Sequence, residues 1–463
     1  MNPGGYLTTT TSLCPECRRL VPARVHLAED GVWFYKHCPE HGPQEVRISP
    51  DADQYLAQGR FHRAGSRPHE FATAMDRRCP EACGLCPEHE QHVCLPIIEI
   101  TDHCDLACPI CLVDNRASFH LSRAQVAAML DRLIAAEEQL DLVNLSGGEP
   151  TLNPEFKAIV EECLSRPEIL RVSVSTNGQR LLREPDLLRF LADRGVVVSL
   201  QFDGFQEAAC RSLRGGDWVA GKRRLIDLAT ACRAPMSLTA TVAAGVNEDG
   251  LAPILDLLFE RDNLLSVMLQ PMAWHRRRGG RPRPAEATTI ADVVRALDGA
   301  CGGLVSAGDF TPLPCSHPAC FSLAYYLKVD NGQFLPIKRL VEIDRYLDML
   351  ENRSIFGSDA DGFERVKAAV YDLWSGPAAI TPDSQKALSA IRRLLGAVTG
   401  RGGGGYQPRR AMAEVEGFIK SVFIHAFMDP DTFDLARVRK CCNVYPQADG
   451  RMLPACVQNC LNR

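Results

Sequence analysis

Residues 95–111 read LPIIEITDHCDLACPIC, a short apolar run rich in isoleucine with three cysteines soon after it. Residues 95–101 carry the signal of a buried strand. Cys104, Cys108 and Cys111 follow in C-x3-C-x2-C spacing. An ordinary cubane iron–sulfur cluster takes four cysteine thiolates, and this loop supplies three. A cluster so held keeps one iron open, and an open coordination position is where a metal site does chemistry.

Outward from this stretch the chain alternates short β runs with helical patterns. The runs are 95–101, 142–148 (LVNLSGG), 171–178 (RVSVSTNG), 196–204 (VVVSLQFDG), 236–246 (MSLTATVAAGV) and 264–272 (LLSVMLQPM). Between the first two, Ser122 and Gln125 form a capping box, and Val126, Met129, Leu130, Leu133 and Ile134 make one apolar stripe. Strands dense in Val, Ile and Leu, each followed by a helix, predict a parallel sheet covered by helices. Function in such sheets and barrels gathers at the carboxyl ends of the strands. The three-cysteine loop lies at one such end.

Composition narrows the classes. The 463 residues are 46% hydrophobic and 24% charged, ordinary for a soluble globular protein. A net charge of −5 argues against nucleic acid or an acidic membrane surface as partner. No apolar run approaches the ~18–20 residues that span a bilayer, and the first residues lack the basic-then-apolar pattern of a signal peptide. A cytoplasmic protein that is not an integral membrane protein is therefore expected. Twenty cysteines in a long chain without an export signal point to metal rather than disulfides.

The other cysteines fall into groups. CPEC and HCPEHG, joined by an aromatic run, predict a zinc ribbon with Cys14, Cys17, Cys38 and His41 as ligands. His37 competes for the fourth place, but His41 repeats the spacing of the first knuckle, and Gly42 permits a tight turn. The same ligands suit a mononuclear iron. Cys79, Cys83 and Cys86 repeat the C-x3-C-x2-C spacing with Cys94 near enough to close a cluster, which reads as auxiliary. Six cysteines stand near the end. Cys315, Cys320, Cys442 and Cys456 are the expected ligands of a second auxiliary cluster, with Cys460 as substitute and Cys441 spare, because adjacent thiols do not easily serve one cluster. Cys163, Cys210, Cys232 and Cys301 read as packing thiols.

With the three-cysteine loop followed one strand later by Gly147-Gly148-Glu149-Pro150, the sequence resembles the radical S-adenosylmethionine (radical SAM) superfamily. The order of ribbon, CGLC, CDLACPIC, PCSHPAC and CC…PAC is similar to the class D methylase group, which includes the hydroxymethylpterin methyltransferase and the archaeal tetraether lipid synthase. That group carries CC-x-H, where this chain has Val444. The resemblance implies a partial (β/α)6 TIM-type barrel. It implies a SAM-binding [4Fe-4S] cluster on Cys104, Cys108 and Cys111, two auxiliary clusters, and a flavodoxin or ferredoxin as reductant. Gly147, Gly148, Glu149 and Pro150 would hold the methionine amino group of SAM, with Glu149 as partner of the ammonium. Ser175, Thr176, Asn177, Gln201 and Asp203 would lie where the ribose and carboxylate of SAM, or the substrate, bind. Asp203 as a helix cap is the competing reading, and for Gln270, placed near the adenine, a backbone-bonded glutamine.

The expected organisation is a zinc ribbon over 1–60, an auxiliary iron–sulfur segment over 61–95, the radical SAM core over 96–284 and a mostly helical cluster-bearing domain over 285–463. A basic linker at 275–284 and a break at 401–405 punctuate it. The expected activity is carbon–carbon bond formation at an unactivated carbon, foremost C-methylation of a pterin-like small molecule. Coupling of lipid alkyl chains is the alternative and would need a long apolar tunnel. RNA modification ranks below both, since one basic run in an acidic chain reads as a solvated linker.

Overall fold

The structure, a computed structural model, describes residues 5–75, 78–81, 83–113, 115–275, 283–329, 332–340, 382–399 and 408–463. The break at 401–405, and all but the ends of the basic linker, lie outside the described residues. Four antiparallel strands, β1 (Gly5–Leu13), β2 (Leu20–Ala28), β3 (Gly31–Cys38) and β4 (Gly42–Ser49), form a separate sheet in chain order. Their alternation buries Val25, Val32 and Phe34 on one face. Buried Lys36 helps tie this sheet to the rest: its Nζ donates to the carbonyls of Pro430 (3.2 Å) and Asp431 (2.6 Å) and, within the sheet, of Leu13 (2.8 Å).

The six β runs all form strands: β5 (Leu95–Glu99), β6 (Val143–Ser146), β7 (Val172–Thr176), β8 (Val197–Gln201), β9 (Met236–Val242) and β10 (Leu264–Pro271). Each pairs in parallel with the next. Helix Arg123–Glu137 begins with the expected capping box and buries Val126, Met129, Leu130 and Leu133. These join Ile98, Leu145, Val174, Val198, Leu238 and Val267 in the principal core. The strand residues between them turn inward. The result is a TIM-type α/β arrangement with an open sheet.

Among the described residues the C-terminal part adds strands to its helices. It contributes β11 (Phe321–Lys328), β12 (Phe334–Pro336), β13 (Ile419–His425), β14 (Asn443–Pro446) and β15 (Met452–Pro454). The sheet order is β12-β11-β13-β10-β9-β8-β7-β6-β5-β14-β15, so one sheet runs across the expected boundary at 284–285. β13 continues the parallel series beyond β10, and β14 adds in parallel beside β5. Among the described residues, no helix is long and apolar enough to cross a membrane.

Candidate active site

Inward-facing residues of the barrel strands surround a cavity of about 550 Å³. Small hydroxyl residues keep it open: Ser173, Ser175, Ser199, Ser237, Thr239, Ser266 and Ser421 all line it, where a packed barrel would carry bulky Val, Ile or Leu. Phe321, Tyr325, Phe423, His425 and Phe427 form an aromatic wall. The Phe321 and His425 rings stack at 4.0 Å between centroids and 8° between planes. Burial and the nearby Arg437 charge push the His425 imidazole down to about 3, so it is neutral.

Cys104, Cys108 and Cys111 line this cavity at the end of β5. Asn115 fixes the loop by accepting from the Cys104 N–H (3.1 Å) and donating to the Cys104 (2.7 Å) and Leu106 carbonyls. Burial pushes the Cys104 thiol up to about 12. The two glycines of the next turn are needed for a reason the sequence does not disclose. A Cβ at Gly147 would lie 2.1 Å from the Thr101 carbonyl oxygen, and one at Gly148 would lie 2.3 Å from that of His103. They let the turn dock on the cysteine loop, sealed by Gly148 N–H to Thr101 O (2.8 Å) and Glu149 N–H to His103 O (2.7 Å). Three cavity-facing thiols on one rigid loop are a donor set that fits an iron–sulfur cluster one protein ligand short of four.

Gly147, Gly148, Ser175, Asn177, Gln201 and Gln270 also line the cavity, whereas Glu149, Pro150 and Asp203 do not. Glu149 is fully buried. One of its oxygens accepts from Thr151 N–H (3.2 Å), Thr151 Oγ1 (2.6 Å) and Thr176 Oγ1 (2.8 Å), the other from Asn177 N–H (2.7 Å). This carboxylate pins the β6 turn to the end of β7, and burial raises its pKa. Asp203 is likewise engaged within the protein. It takes Arg214 Nε and a second guanidinium nitrogen, each at 2.8 Å, and the Thr241 N–H at 3.0 Å. Arg214 itself lines the cavity, and its charge opposes the rise that burial imposes on the Cys108 thiol. Sequence reasoning missed Arg214. It sits near a helix end in RSLRGG, and nothing in its spacing marks it.

The auxiliary cysteines assemble differently from their order in sequence. Cys94 was expected to close the group of Cys79, Cys83 and Cys86, but its thiol lies with those of Cys315 and Cys442. The cause is β14. Its parallel pairing of Asn443 with Leu95 sets Cys442 beside Cys94, whose N–H donates to the Cys442 carbonyl at 2.9 Å. His92, also missed, has Nε2 3.2 Å from Cys94 Sγ and Nδ1 2.9 Å from Glu137. The free thiols of Cys79 and Cys83 share a hydrogen bond, with Cys86 and Cys441 as charge neighbours of Cys83. Cys320 and Cys456 flank the buried Arg437 guanidinium, which donates to Cys320 Sγ at 3.3 Å. Cys460 packs with Cys83 and Cys456.

In the ribbon, Cys14, Cys17, Cys38 and His41 bring their ligand atoms within 4.8 Å of one another. His41 Nδ1 lies 3.6 Å from Cys14 Sγ and 3.5 Å from Cys38 Sγ, and Cys17 and Cys38 sulfurs are 3.8 Å apart. These separations suit a tetrahedral ion. Gln44 Nε2 donates to Cys14 Sγ at 3.4 Å. His37, on the exposed face of β3, is not part of the group.

Comparison with known proteins agrees with this geometry. Residues 98–258 match the radical SAM superfamily, and residues 6–50 match the HMPTM N-terminal zinc ribbon domain. The 7,8-dihydro-6-hydroxymethylpterin dimethyltransferase of Methanocaldococcus jannaschii is 26% identical over 485 residues, covering 98% of this chain and 94% of that protein. A GTP 3′,8-cyclase of Stenotrophomonas maltophilia is 27% identical over 167 residues, 35% of this chain and 51% of its own. Among solved structures, Streptococcus suis SuiB bound to S-adenosylmethionine aligns with a TM-score of 0.38 at 16% identity, covering 44% of this chain and 46% of that one. Residues 98–258 thus match a radical SAM domain, preceded by a zinc ribbon of the HMPTM type, in a chain similar along nearly its whole length to a pterin methyltransferase.

Proposed function

We propose that this enzyme methylates a carbon of a pterin-like heterocycle, forming a carbon–carbon bond. The observation that carries the reading is the cavity. A hydroxyl-lined lumen faces a stacked aromatic wall, and both meet the three-cysteine loop. A flat, polar ring system suits such walls, because aromatic faces stack on it while hydroxyls bond its edges. The nearly chain-long likeness to a hydroxymethylpterin dimethyltransferase supports the same class.

Cys104, Cys108 and Cys111 are proposed to hold the SAM-binding [4Fe-4S] cluster, which with S-adenosylmethionine supplies one-electron cleavage of the sulfonium. Gly147 and Gly148 hold the rim of that site, and Arg214, braced by Asp203, offers a cation to a carboxylate. Cys94, Cys315 and Cys442, with His92 alongside, are proposed as one auxiliary site. Cys79, Cys83, Cys86 and Cys441 are proposed as the other. A flavodoxin or ferredoxin would supply the electron.

The test is a reaction under anaerobic conditions with S-adenosylmethionine, a strong reductant and 6-hydroxymethyl-7,8-dihydropterin. The expected products are 5′-deoxyadenosine and a pterin heavier by a methyl group. Joint replacement of Cys104, Cys108 and Cys111 by Ala should abolish both while most of the iron remains. Deoxyadenosine formed with a long-chain lipid and with no pterin would replace this reading by alkyl coupling.

A further inference from the structure

Strand β13 divides its residues between two faces. Val422 and Ile424 join the principal core, whereas Ser421, Phe423 and His425 line the active-site cavity. His425 ends the strand, in register with Phe321 of β11. Its imidazole stacks flat on the Phe321 ring, and the Phe427 ring centre lies 4.2 Å from its own at a tilt of 51°. Two phenyl rings thus fix its plane, and neither offers it a hydrogen-bonding atom. The residue is only 6% exposed. Among the described residues nothing hydrogen-bonds its ring nitrogens, and neither nitrogen is sealed off from open space. The space they meet is the cavity that the ring lines. Burial beside the Arg437 charge keeps the ring neutral, so one nitrogen donates and the other accepts. A third phenyl would pack here equally well and carry no polar edge to be satisfied.

We infer that His425 is a specificity-determining residue whose imidazole hydrogen-bonds a heteroatom on the edge of the flat substrate ring, while Phe321 holds the imidazole in plane for that bond. This rests on the heterocycle reading above and names the side chain that reads the edge of the ring. The stack on Phe321 removes most of the freedom of the histidine side chain before the ligand arrives, so little of the hydrogen bond is spent on ordering it.

The experiment uses the full chain with its clusters reconstituted and measures binding of 6-hydroxymethylpterin by fluorescence, beside naphthalene, a fused two-ring hydrocarbon without heteroatoms. His425→Phe keeps the stack and removes both nitrogens. It should lose at least about tenfold in affinity for the pterin, the worth of one hydrogen bond. Its affinity for naphthalene and its iron content should stay those of wild type. Without ligand its unfolding temperature should not fall, because the phenyl ring leaves no protein group unpaired. His425→Leu serves, with the same measurements, if phenylalanine is not accommodated. Retained pterin affinity, or an equal loss for pterin and naphthalene, would assign His425 to packing and overturn the inference. If wild type binds no pterin, the heterocycle reading fails on its own. Phenol against toluene, one ring with and without a hydroxyl, then decides the inference: a preference for phenol that disappears in His425→Phe keeps it, and the lack of such a preference removes it as well.

Discussion

Arg214 carries its charge into the wall of the cavity, and Asp203 takes two of its hydrogen-bonding nitrogens in a bidentate pair. Burial would raise the Asp203 carboxyl, and the Arg214 charge outweighs it, holding that carboxyl below its usual range. The stability this pair supplies is therefore present above the ordinary carboxylate pKa and is lost as pH falls through the lowered one. Arg214→Met should cost about 3–5 kcal/mol in chemical denaturation near neutral pH, because it strands a buried carboxylate. Arg214→Met with Asp203→Asn should cost less than the sum of the single changes, the coupling expected of groups in direct contact. Both should weaken S-adenosylmethionine binding. Additive costs would show that the pair does not act as a unit. At this scale the sequence discloses chemistry better than role. Gln201 and Asp203 are conspicuous as polar residues ending an apolar strand, but the cation they brace lies in the next helix and leaves no trace in spacing. Glu149 is conspicuous in the same way and works as a pin.

β13 shows what one strand placed late in the chain costs and supplies. Lys420 at its start is buried, and its Nζ donates to the carbonyls of Arg261 (3.0 Å), Asp262 (2.9 Å) and Leu264, which cap the loop entering β10. Burial lowers this lysine to about 8 from 10.5. Between these two values the unfolded chain binds the extra proton, so the stability attached to this site rises with pH there. Lys420→Met should lose about 1–3 kcal/mol at pH 7, where carbonyls are left unpaired, and the deficit should widen from pH 8 toward pH 10. A gap that narrowed over that range would mean the carbonyls hold the proton more strongly than burial expels it, so that this lysine is raised rather than lowered. The six core strands are legible because each is a run of Val, Ile and Leu bounded by turn residues. β11 and β13 are not, since FSLAYYLK and IKSVFIH lie in a stretch of helical patterns and find their partners only through the sheet. Their aromatic and β-branched content was the available signal. The ribbon is legible because its ligands are local in sequence, 14 to 41.

Across the whole molecule the end of the chain returns to the first barrel strand, and that return decides which cysteines meet. β14 lies parallel to β5, so Cys442 comes to Cys94 across nearly the length of the chain. Just before β14, Cys442 joins Cys94 and Cys315 while Cys441 has Cys456 and Cys320 as its charge neighbours. The adjacency that made one thiol look spare is then the device by which a two-residue segment would reach both of the proposed auxiliary sites. Spacing alone cannot reveal this, because it groups thiols by distance along the chain. Iron content decides between the groupings. With Cys94 and Cys442 in one site, Cys94→Ala and Cys442→Ala should each release about four irons per chain, and the double variant no more than either. Cys79→Ala combined with Cys442→Ala should release about twice as much, since those thiols belong to different sites. Zinc bound at the ribbon serves as the internal standard for folded protein in each sample. Were the grouping by sequence order correct, the Cys94 and Cys442 losses would add, and the Cys79 and Cys94 losses would not.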